Sequence, residues 1–93
     1  MFRYKSAIPL SYNRQGYVYF TSLLYRTFPE RDQRKIDKLC LEAAGGRDSY
    51  ALALREFVTT NTRAEIIEGR YNISRSTLYR IVREYYVRFP IKL

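Results

Sequence analysis

The chain has 93 residues, 46% of them hydrophobic, too apolar for a disordered tail and too short for more than one sizeable core. Seventeen Lys and Arg against nine Asp and Glu give a net charge of +8, a bias that draws polyanions such as nucleic acid or an anionic membrane surface. A single cysteine and no histidine exclude an internal disulfide and nearly close the usual zinc and acid–base chemistry.

The basic excess is not evenly spread. Residues 1–28 carry Arg3, Lys5, Arg14 and Arg26 with no acid, residues 29–60 carry six charges of each sign, and residues 61–93 carry seven basic against three acidic. No run has the apolar length of a membrane span. Residues 1–5, MFRYK, have charge without the apolar stretch of a secretory signal. The expectation is therefore one soluble domain, residues 1–93, in a reducing cytoplasm, with Cys40 filling a gap in the core.

In chain order, residues 1–14 mix aromatic, basic and turn residues around Pro9 and predict an irregular basic arm. Over residues 15–26, Tyr17, Phe20, Leu23 and Leu24 return at helical spacing. The run Tyr17-Val18-Tyr19-Phe20 by itself also suits a strand, and helix is the reading adopted. Thr27-Phe28-Pro29-Glu30 has the form of a capping box with proline in the first turn, starting a helix near Pro29. Ile36, Leu39, Cys40 and Ala43 give that helix its apolar face, charges of alternating sign occupy the rest, and Gly45-Gly46 ends it. The mixed charges are best read as a solvated, self-paired surface.

Asp48 or Ser49 caps the next helix, where Tyr50, Leu52, Ala53, Leu54, Phe57 and Val58 are apolar over more than one face, as in a central helix. Residues 59–62 form a polar hinge too short to separate domains. Residues 15–60 thus read as supporting helices and residues 61–90 as the unit they support.

That unit, TRAEIIEGRYNISRSTLYRIVREYYVRFP over residues 62–90, predicts two helices and a tight turn. Thr62-Arg63-Ala64-Glu65 fits a second capping box. Ala64, Ile67 and Tyr71 share a face of a short helix, and Asn72 suits a left-handed turn position. Ser74 is the expected N-cap of the last helix. Leu78, Ile81, Val82, Tyr85 and Phe89 form its buried stripe, and Pro90 stops it. Arg75, Ser76, Tyr79, Arg80 and Arg83 gather on the opposite side.

The stretch ISRSTLYRIVREYY, residues 73–86, resembles the turn and recognition helix of the helix-turn-helix superfamily. The run Ser76 to Arg80 is similar to the DNA-binding tails of DNA invertases and resolvases. In that likeness Asn72 stands for the usual turn glycine, and Ile67, Tyr71, Ile73, Leu78 and Ile81 take the motif's apolar positions. The usual small residue of the first helix is Glu68 here, beside Gly69, so either the helices pack differently or the register slips by one. The implied fold is all-α, a small bundle of about five helices ending in a helix-turn-helix behind a basic arm.

The implied partner is double-stranded DNA. Arg75, Ser76, Tyr79, Arg80 and Arg83 are the base-contact candidates, for a major groove about 12 Å wide whose guanines offer O6 and N7 to guanidinium groups. Arg63, Arg70, Ser74 and Thr77 are the phosphate-contact candidates. The arm would either reach a neighbouring groove or phosphate or pack Tyr4 and Tyr12 onto the body. A monomer reading one half-site binds weakly, which implies a homodimer or a larger nucleoprotein assembly. Tyr17, Tyr19, Tyr25, Tyr85 and Tyr86 are available to line an interface or to fill the core.

Resolvases carry a separate catalytic domain for which this chain has no room, so the likeness implies binding without strand cleavage. The sequence also lacks a Gly-rich phosphate loop, a nucleophile elbow and a paired-carboxylate cluster. No enzyme activity, cofactor, metal or small-molecule ligand is expected. The function read here is a sequence-specific DNA-binding protein, a transcriptional regulator or an accessory factor of a phage or mobile element. Two rivals remain: an adaptor whose basic face docks an acidic protein, and an RNA-binding protein that stacks bases on its tyrosines.

Overall fold

In a computed structural model that describes residues 2–93, five α-helices follow one another, and no strand occurs among the described residues. They are α1 (Tyr12–Leu23), α2 (Glu30–Ala43), α3 (Asp48–Thr60), α4 (Ala64–Tyr71) and α5 (Arg75–Arg88), with a 3-10 turn at Tyr25–Thr27 after α1. Met1, the first residue of the predicted arm, lies outside the described residues. α3 is the central element and packs against the other four helices. No helix among the described residues is long and apolar enough to cross a membrane.

In α2 and α5 the chain buries the apolar stripe that the sequence shows. Ile36, Leu39, Cys40 and Ala43 of α2 join Ala53, Leu54 and Val58 of α3 and Leu78, Ile81, Val82, Tyr85 and Phe89 of α5 in one cluster. Gly45 and Gly46 follow α2 with φ of 67° and 82°, values that a side chain resists. The breadth expected of α3 is partial, because Leu52 stays 47% exposed. Burial pushes the Cys40 thiol up to about 12, with Asp37 adding to it.

The first helix departs from expectation. It begins at Tyr12, inside the predicted arm, because Ser11 caps it by accepting the amide of Arg14 at 3.1 Å. It stops at Leu23, and the 3-10 turn replaces its predicted last residues. Its buried residues are Gln15, Val18 and Ser22, while Phe20 and Leu24 lie outside. Two polar side chains are tolerated inside because every polar atom on them finds a partner.

The Gln15 carboxamide holds the arm. Its Oε1 accepts the Lys5 amide at 2.9 Å, and its Nε2 donates to the carbonyls of Lys5, Ile8 and Leu10 at 3.0, 3.2 and 3.1 Å. Phe2 and Ile8 are buried, with the Phe2 ring 5.3 Å from both Tyr12 and Tyr19. The segment is thus docked, and it is anchored by Phe2 and Ile8 instead of Tyr4 and Tyr12, both of which remain exposed.

Neither threonine capping box forms. Thr27 Oγ1 donates back to the Leu24 carbonyl at 2.7 Å, leaving Pro29 as the N-cap of α2. The Thr62 hydroxyl meets Thr60 Oγ1 at 2.6 Å, and Arg63 is the N-cap of α4. Arg47 precedes α3, whose first residue Asp48 sets a carboxylate at the positive end of the helix dipole.

The far end of α5 is tied to α1. Arg14 Nη2 donates to the carbonyls of Phe89 and Pro90, both at 2.6 Å, and the Tyr17 hydroxyl accepts the Leu93 amide at 3.2 Å. Of the five tyrosines proposed for an interface, Tyr85 and Tyr86 are core residues. Ring area that large is better hidden than left in water. Tyr17, Tyr19 and Tyr25 are half-buried.

Candidate nucleic-acid interface

α4 and α5 are joined by residues 72–74. Asn72 takes the left-handed conformation at φ 52° and ψ 50°, reversing the chain after α4. Ser74 caps α5, its Oγ accepting the Thr77 amide at 3.2 Å while its hydroxyl donates to Thr77 Oγ1 at 2.8 Å. Ile67, Ile73, Leu78 and Ile81 are buried between the pair and the rest of the core. Tyr71 is half-buried, with its hydroxyl donating to Glu56 Oε1 at 2.7 Å.

Glu68 accounts for its own presence in a place where a small residue was expected. Its carboxylate accepts Arg75 Nε at 2.7 Å, and Glu65 accepts Arg75 Nη2 at 3.2 Å. A guanidinium at the start of α5 is thereby fastened to two carboxylates of α4. Gly69 beside it faces open space.

The five base-contact candidates all lie on the solvent side of α5, but they differ in what holds them. Arg75 is occupied by Glu65 and Glu68. The Ser76 hydroxyl is exposed, 3.4 Å from Ser74 Oγ. Tyr79 is 49% exposed, its ring 6.4 Å from that of Phe57. Arg83 Nε donates to the Ala7 carbonyl at 3.3 Å, and its Nη1 lies 3.9 Å from Glu84. Arg80 is exposed and forms no ion pair among the described residues.

No match to this chain was found among protein families, curated proteins or solved structures. The geometry alone carries the reading.

Of the phosphate-contact candidates, Arg63 sits 3.4 Å from Glu65, and Arg70 pairs with Glu56. Ser74 and Thr77 spend their hydroxyls on each other and on the cap. The Glu56 carboxyl is partly desolvated, which by itself would raise its pKa, but bonds from Tyr71 and Arg70 outweigh that and hold it below the usual carboxylate range. All these arginines keep about half or more of their side chain in water. Ion pairs that wet are worth about 0–1 kcal/mol, so a phosphate could compete for them.

The docked arm adds what the sequence did not single out. It sets Lys5 beside the α5 face, lining the same groove as Tyr79 and Arg83. The signal was the basic, aromatic character of residues 2–5. Their landing place depended on Gln15, which a hydropathy pattern assigns to solvent. Among the described residues no group of His, Cys, Asp and Glu has the arrangement of a metal site.

Proposed function

We propose that α4, residues 72–74 and α5 act as a helix-turn-helix that binds double-stranded DNA, with the solvent face of α5 entering the major groove. The observation that carries this reading is Arg80, which adjoins Tyr79, lies nearly one turn before Arg83 and is neutralised by no carboxylate among the described residues. A free guanidinium on an exposed helix face can form the bidentate pair with guanine O6 and N7. Arg75, held by Glu65 and Glu68, then has the lesser role of fixing α5 on α4. Ser76 stands one turn before Arg80 as a hydroxyl donor to a base or phosphate. Arg63 and Arg70 position the backbone of the duplex.

In this reading the protein is a transcriptional regulator or an accessory factor in a nucleoprotein assembly, acting without cleavage. A titration of duplex DNA across salt concentrations tests it. Arg80→Ala is expected to weaken binding about 5- to 150-fold and to relax the preference at one base pair. Arg34→Ala, on the exposed surface of α2 in an ion pair with Glu30, is expected to bind like the wild type. Equal losses in both variants, or binding insensitive to salt, would refute the assignment and leave an acidic protein as the better partner.

A further inference from the structure

An open groove of about 410 Å³ runs between the arm and α5. Its lining includes Tyr4 and Lys5 from the arm, Phe57 from α3, and Tyr79, Val82 and Arg83 from α5. Three aromatic rings and two cations therefore face one channel, and no carboxylate lines it. At its edge Arg83 Nη1 lies 3.9 Å from Glu84, a looser approach than those of Arg34, Arg55, Arg70 and Arg88 to their carboxylates.

Both walls are held by bonds within the chain. Gln15 clasps the Lys5 peptide from both sides, at 2.9 and 3.0 Å, which leaves the ammonium group free to point elsewhere. Arg83 is fastened to the Ala7 carbonyl at 3.3 Å, so its guanidinium bridges the arm and the helix. Tyr4 and Tyr79 are 54% and 49% exposed.

We infer that this groove binds a single strand of nucleic acid. Unpaired bases stack on Tyr4, Tyr79 and Phe57, and the strand's phosphates are met by Lys5 and Arg83. The chemistry is that of sequence-tolerant strand binding, in which a basic track supplies affinity and aromatic faces supply preference for bases over other polyanions. An acidic peptide matches the charge but gains little from the rings. The inference stands apart from duplex recognition by Arg80, although Tyr79 and Arg83 border both surfaces.

The test uses fluorescence anisotropy of a labelled oligothymidylate and of an abasic oligomer of equal length. Wild-type protein is expected to prefer the thymidylate about tenfold. Tyr4→Ala should abolish most of that preference, and Tyr4→Phe should keep it. Lys5→Ala, which leaves the backbone bonds to Gln15 in place, should weaken both oligomers and flatten the salt dependence. Arg80→Ala should leave thymidylate binding unchanged while it weakens duplex binding, so the two assignments fail separately. Equal affinity for the abasic oligomer, an unaltered preference in Tyr4→Ala, or displacement of the thymidylate by polyglutamate at matched charge would each overturn the inference.

Discussion

The Tyr85 hydroxyl lies 2.7 Å from Ser22 Oγ, inside the core and across a separation of 63 residues. Ser22 has a single hydroxyl proton, and its Oγ donates to the Val18 carbonyl at 2.7 Å, so Tyr85 is the donor of the pair. Ser22→Ala would strand a buried phenolic proton and is expected to cost about 1–3 kcal/mol; Tyr85→Phe, which leaves only an acceptor unmet, should cost about 1 kcal/mol. The double variant should cost less than the sum of the two. Urea denaturation of all four proteins measures this, and strict additivity would refute the bond.

Alkaline stability follows from the same region. Burial raises the phenol of Tyr85 and pushes that of Tyr86 up to about 12, against 10.0 for an ordinary tyrosine. A group whose folded-state pKa is raised contributes stability that is complete below its unfolded value and lost as pH climbs toward the folded one. Thermal stability is therefore expected to fall above about pH 10, and Tyr85→Phe should show a shallower fall. A wild-type melting temperature that stays flat from pH 9 to about 11.5 would contradict this.

On the acid side the relevant group is Glu56. Its pKa is lowered in the folded state, so its contribution is present above the unfolded carboxylate value and disappears as pH falls through the folded one. Glu56→Gln should cost about 1 kcal/mol at neutral pH, a figure discounted because Arg70 is half in water, and nearly nothing well below pH 4. Chemical denaturation at both pH values reads the difference.

Asn72 supplies the left-handed residue of the turn. Asn72→Gly should change stability by less than about 0.5 kcal/mol, whereas Asn72→Val should cost about 1–2 kcal/mol because a β-branched side chain resists that conformation. If valine proves as good as glycine, the turn is not held by its backbone in the way described.

Gln15→Ala removes four hydrogen bonds to the arm. A loss of about 2 kcal/mol is expected, together with faster hydrogen exchange at the Lys5 amide and little change at α2 amides. Uniform acceleration throughout the chain would mean that the arm and the body open together.

The sequence revealed those elements whose burial follows hydropathy. The stripes of α2 and α5, the glycine stop after α2, the cap at Ser74 and the reversal at Asn72 all have local physical causes within a few residues. α1 was legible as a helix but its buried face was not, because Gln15 is hidden by backbone bonds to the arm and Ser22 by a partner 63 residues away, and neither follows from hydropathy. The threonines at 27 and 62 do not cap because their hydroxyls are turned back to the preceding residues, onto the Leu24 carbonyl and Thr60 Oγ1. Within the candidate interface, Arg75 looked equivalent to Arg80. Only the folded turn brings Glu65 and Glu68 within reach of the first and leaves the second alone.

The grip of Arg14 on the carbonyls of Phe89 and Pro90 spans 75 and 76 residues. During synthesis, α1 can meet α3 early, but its bonds from Arg14 and Ser22 wait until α5 and residues 89–90 have left the ribosome. Until then the α3 residues Leu54 and Val58, which share one core cluster with α5, are incompletely covered, and a nascent or truncated product exposes them to chaperones and proteases. Premature stops within α5 should consequently yield degraded protein instead of a shortened domain that retains the first four helices.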